Sequence, residues 1–120
     1  MGTVTKTNSA YSLTLDAGSD EGITEKLLAN RRSEIRAFAI ALRDETLREF
    51  ISTEDGDETF SDLIALAVKE YGVSQKEIAT AISTTPSTVS RWMNGHAPAL
   101  YARKSVVDAI AMIIDHNLDL

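Results

Sequence analysis

The hydrophobic pattern of this 120-residue chain changes period several times. Residues 1–22 are rich in Thr, Ser and Gly and hold few large apolar groups, the composition of a flexible arm. Within it, "YSLTL" alternates Tyr11, Leu13 and Leu15 with polar residues, which allows a short strand over 11–15 if a partner pairs with it. From residue 24 to 51 the period becomes helical. Leu27, Leu28, Ile35, Phe38, Ala39, Leu42, Phe50 and Ile51 recur at three- and four-residue spacing, and arginines interleave with acids on the other face. Thr24 offers a cap with Glu25 in the first turn, so one long amphipathic helix is predicted over residues 23–52. Glu49 interrupts the seven-residue series Leu28, Ile35, Leu42, so a sustained coiled coil is not expected.

Beyond a linker, "STEDGDET", the punctuation is regular. Thr59 reads as a cap before Phe60, Leu63, Ile64, Ala67, Val68 and Tyr71, and Gly72 reads as a stop. Ser74-Gln-Lys-Glu77 is a capping box ahead of Ile78, Ala79 and Ile82. Thr85 caps the next helix, with Pro86 at its first position, where no N–H is needed, and Gly95 ends it. Pro98 opens a last helix with Leu100, Val106, Val107, Ile110, Ile113 and Ile114 on its buried stripe. On a helix over 86–94, Val89, Trp92 and Met93 share the side facing Ile78, Ala79 and Ile82. Ser87, Ser90, Arg91 and Asn94 share the opposite side. Trp92 is therefore read as core.

Charge changes this picture locally. The formal net charge is −6, but residues 61–104 hold Lys69, Lys76, Arg91, Arg103 and Lys104 against three acids. The negative total belongs to the flanks, and a global charge does not decide what one face touches. The short, polar, cation-bearing face of 86–94 suits a major groove, where hydroxyls, amides and guanidinium groups bond phosphates and base edges.

Other chemistry is thinly represented. No cysteine is present, which fits a reducing, cytoplasmic location and leaves no thiol chemistry. No apolar run reaches the ~20 residues of a membrane span, so no membrane partner is expected. Lys6 stands where a myristoylation signal needs Ser or Thr. The acidic linker lacks the ligand spacing of a calcium loop. His96 and His116 have no metal-ligand spacing, and no phosphate loop or triad pattern is found. No catalytic residue, metal or cofactor is expected.

Residues 60–114 resemble the helix-turn-helix domain of phage repressors and Cro-like regulators, the lambda-repressor-like or xenobiotic-response-element family. The residues that carry the likeness are Gln75, Glu77-Ile78-Ala79, Ile82, Thr84-Thr85, the run Thr88-Val89-Ser90-Arg91-Trp92, and Asn94-Gly95. The sequence departs from the family at Ser83, where a turn glycine is usual, at Pro86, at Met93 and in the loop "HAPALY", which holds no lysine. The resemblance implies an all-α fold: a helix-turn-helix bundle over 59–116, preceded by the amphipathic helix and arm. It implies that Gln75 and Asn94 meet phosphates, that Thr85, Ser87, Ser90 and Arg91 lie at the bases, and that Arg103 and Lys104 reach the backbone. It further implies a transcription regulator of a bacterium or phage. The expected action is repression by a homodimer on a pseudo-palindromic site. The alternative is an antitoxin-type autoregulator that holds a toxin or other protein through residues 1–51. The 24–51 helix either helps form the dimer or packs onto the domain that follows it.

Overall fold

The structure, a computed structural model, describes the backbone of residues 17–119 and the side chains of residues 22–119. The "YSLTL" segment lies outside the described residues. Two compact units divide the chain, Met1–Arg31 and Arg32–Leu120. Every regular element described is helical. They are α1 (Ala17–Ala41), α2 (Glu45–Ile51), α3 (Asp57–Glu70), α4 (Gln75–Ala81), α5 (Pro86–Met93) and α6 (Arg103–Asp119). Single 3₁₀ turns at Glu54–Gly56 and Leu100–Ala102 precede α3 and α6. The fold is all-α, as the helical periods require.

In the first unit the described residues are a helix. It already runs at Ala17, so Thr24 sits inside the helix rather than at its start.

The second unit corrects the expectation of one helix over 23–52. The chain breaks after Ala41 because Asp44 caps a new helix. Its carboxylate accepts from the Leu47 N–H at 3.0 Å, and its backbone is extended. A short acid beside the backbone offers this alternative to helix continuation, which outweighs the continuous apolar period. The C-terminal turns of α1 bury Phe38, Ala39 and Leu42, and Phe38 stacks on Tyr71 of α3 at 4.3 Å between ring centroids. This part of the helix packs onto the domain that follows.

The "STEDGDET" stretch is also more ordered than a solvated linker. Gly56 is buried, and a Cβ there would lie 2.6 Å from the Ile51 Cα and closer still to the Phe50 carbonyl oxygen. Only glycine lets the turn press against the end of α2. As a result α3 starts at Asp57, not after a Thr59 cap.

Phe60, Ile64, Ala67, Val73, Ile78, Val89, Trp92, Val106, Val107, Ile110 and Ile114 complete a single core with Ile51. Trp92 meets Phe60 edge-on, with centroids 6.3 Å apart. α2 lies against α6, where Arg48 pairs with Asp108 and Lys104 Nζ comes within 3.9 Å of Glu45. Arg43 of the preceding turn also reaches Asp115 at 2.8 Å. The hydrogen bonds that Arg48 donates to the Asp108 carboxylate, backed by its charge, raise the Arg48 pKa above its ordinary value despite desolvation. Leu100, expected on the buried stripe of the last helix, is exposed, because that helix begins only at Arg103.

Candidate nucleic-acid interface

The corner between α4 and α5 is built locally. Ser74 Oγ accepts from the Glu77 N–H at 2.9 Å, and Glu77 Oε1 accepts from the Ser74 N–H at 2.9 Å. This closes the capping box read from the sequence. α4 ends in a Schellman motif. The Thr84 N–H donates to the Ala79 carbonyl at 2.8 Å and the Ser83 N–H to Thr80 at 3.4 Å. The residue between them, Ser83, carries φ 58, a left-handed position usually given to glycine. α5 ends the same way, His96 donating to Arg91 and Gly95 to Trp92, with Gly95 at φ 98. Two closed helix ends and one core-facing side hold α5 at a fixed angle to α4. Ile78, Ala79, Val89 and Trp92 are the buried residues of that contact.

The side of α5 turned from the core is short and polar. Ser87 and Arg91 are exposed, and Ser90 is half-buried. Among the described residues Arg91 makes no ion pair and no hydrogen bond from its side chain. It is the only cation on α5. Asn94 is exposed, and its Nδ2 donates to the Ser90 carbonyl at 2.8 Å, which orients the carboxamide. Thr85 is exposed, yet its hydroxyl is engaged, accepting from the Thr88 N–H at 3.2 Å and lying 3.0 Å from Thr88 Oγ1. Gln75 is half-buried at the first position of α4.

Arg103 does not join this set. Its guanidinium is 4% exposed and spans four oxygens. Nε donates to the Pro98 carbonyl at 3.0 Å. One terminal nitrogen donates to the Ile51 carbonyl at 3.2 Å, to the Thr53 carbonyl at 3.1 Å and to Asp57 at 2.5 Å. Its carbon lies 5.7 Å from the centre of the Phe60 ring. A group so enclosed cannot reach a phosphate, and the expectation of a backbone contact is withdrawn. The signal was present in the sequence. Arg103 stands three, four and seven residues before Val106, Val107 and Ile110, in the middle of the buried stripe. Lys104 is turned toward Glu45 of α2.

No cluster of His, Cys, Asp or Glu able to hold a metal occurs among the described residues. No helix among them is long and apolar enough to cross a membrane.

Residues 64–100, from the middle of α3 through α4, α5 and the loop after them, match the helix-turn-helix family model. The segment is a helix-turn-helix domain of the lambda-repressor-like class. Neither the curated proteins nor the solved structures compared with the chain contain a match. A helix-turn-helix of this class is the DNA-binding part of a transcription regulator, and its second helix is the one that enters the groove. In this helix-turn-helix the two motif helices are α4 and α5.

Proposed function

We propose that this protein represses transcription by binding a pseudo-palindromic operator as a dimer, with α5 in the major groove. The observation that carries the reading is Arg91, an exposed guanidinium with no partner among the described residues, on a helix whose other outward side chains are short. Short neighbours let the helix sink toward the base edges, and the arginine then reaches a guanine with two donors. Ser87 and Ser90 lie on the same side. Gln75 and Asn94 contact phosphates at the two ends of the motif, and Thr85 contributes its methyl group and backbone, since its hydroxyl caps the helix. Lys104 adds positive potential only as far as Glu45 leaves it free.

Selection of binding sites from random DNA at about 0.1 M salt tests the reading, since phosphate contacts are masked at higher ionic strength. The expected outcome is two inverted half-sites about one helical turn apart. Recovery of no enriched sequence by the full chain, at a concentration where it is folded, would overturn it.

A further inference from the structure

The side chains that open α5 have no hydrogen bond left to give a base. Thr85 and Pro86 are both exposed. Pro86 stands at the first helical position and has no N–H. The Thr85 hydroxyl accepts from the Thr88 N–H at 3.2 Å and lies 3.0 Å from Thr88 Oγ1, so both threonine hydroxyls are engaged. What these two residues still offer a partner is apolar: the pyrrolidine ring and the Thr85 γ-methyl. Both are rigid. The ring is closed and the capping bond fixes the threonine rotamer, so neither loses much freedom on docking. Ser87 and Arg91, by contrast, hold side-chain donors with no partner among the described residues. The outward side of α5 is thus divided into an apolar start and a hydrogen-bonding continuation.

We infer that Thr85 and Pro86 read the 5-methyl group of a pyrimidine in the major groove, so that each operator half-site carries a thymine near the guanine met by Arg91. This rests on the DNA reading above and names the bases that α5 selects. Among the four unmodified bases only thymine presents a methyl group at the major-groove edge. A ring and a methyl gain by covering that group, as apolar surfaces do, and have nothing to exchange with the donors and acceptors of the other edges. Pro86 and Arg91 are five residues apart, about 7.5 Å along a helix and about two base-pair steps. The thymine is therefore expected within about three base pairs of the guanine. 5-Methylcytosine carries the same methyl, so the chemistry recognised is that of a 5-methylpyrimidine, which in unmodified DNA is thymine.

Titration of the selected operator by fluorescence anisotropy tests this, with deoxyuridine replacing one thymine at a time. Uracil pairs as thymine does and lacks only the methyl. At the thymine near the guanine the full chain should bind about fourfold more weakly for each methyl removed, the effect of exposing one such group. Thr85→Ser keeps the capping hydroxyl, so its unfolding should match the wild type. It should lose a similar factor on the thymine operator and nothing further on the uracil one. Pro86→Ser should narrow the same preference. Thr85→Val does the converse: it loses the cap and unfolds more readily, yet keeps its preference for thymine over uracil. A parallel selection from DNA with 5-methylcytosine in place of cytosine separates the two sources of the methyl. Enrichment of both bases at that position supports a methyl contact alone, and thymine by itself supports thymine as the base read. Half-sites without thymine, an affinity indifferent to uracil at every position, or a thymine preference unchanged in both Thr85→Ser and Pro86→Ser overturn the inference. In those three outcomes the chain still selects a sequence, so the DNA reading stands. A chain that selects no sequence overturns that reading and this one with it.

Discussion

Replacing Arg103 with alanine should cost this domain a large share of its stability and leave DNA contacts untouched. The guanidinium is held by four acceptors, three of them backbone carbonyls at the end of α2, in the turn after it and before α6. Hydrogen bonds to a charged group contribute about 1.5–3 kcal/mol each, but here they share one desolvated cation and do not add. Removing one partner of a buried charged pair costs about 3–5 kcal/mol, which is the expected loss. A domain of this size has about 5–15 kcal/mol in total, so the variant should lie near the edge of folding. Urea unfolding followed by circular dichroism gives the number, and a fall in melting temperature of roughly 10–25 °C should accompany it. Arg103→Lys should recover little of it, because one ammonium cannot span oxygens on three segments. Asp57→Asn should cost only about 1 kcal/mol, since the Asp57 side chain is 53% exposed and its pairing is screened. The reasoning fails if Arg103→Ala unfolds within about 1 kcal/mol of the wild type, below what any lost charged hydrogen bond allows. It fails as well if that variant keeps its stability and loses DNA affinity, which would return Arg103 to the phosphates.

Ser61→Ala should raise stability by about 1 kcal/mol in the same assay, since the Ser61 hydroxyl is buried and bonds to nothing among the described residues. Gly56→Ala should lower it by more than about 3 kcal/mol, because the new Cβ overlaps the backbone of Phe50 and Ile51 and no side chain can move aside. Arg91→Ala should weaken a selected operator by about 1–3 kcal/mol, read by fluorescence anisotropy, with the unfolding midpoint unchanged. Since Arg91 is assigned to a base edge and not to a phosphate, the fall of log affinity with log salt should stay close to that of the wild type in that variant. A slope lower by about one unit for each half-site would place Arg91 on a phosphate instead.

Local signals carried the helix-turn-helix. A capping box, a threonine cap before a proline and a glycine stop act within one turn of chain. Each was legible because its geometry depends on neighbours a few residues away. The left-handed Ser83 shows how far such motifs reach: the Schellman bonds form around a serine because the strain of one residue is smaller than the loss of the corner. The division of Val89 and Trp92 from Ser87 and Arg91 also followed from helical period alone.

What period and caps could not decide is which charged or apolar side chain finds a partner far along the sequence. Arg103 looked like a surface cation until α6 was seen to face the end of α2, about fifty residues earlier, where carbonyls and Asp57 receive it. Gly56 looked like a flexible link until the turn was seen to press on Ile51. The apolar series of residues 24–51 read as one stripe, yet a carboxylate at Asp44 divides it, and only its latter part has a core to enter. Sequence alone determined α4, α5 and the polar outward face of α5, because hydrogen bonds at helix ends and side-chain direction are local properties. Tertiary structure alone decided which charges and which turns are buried, because burial depends on what lies opposite.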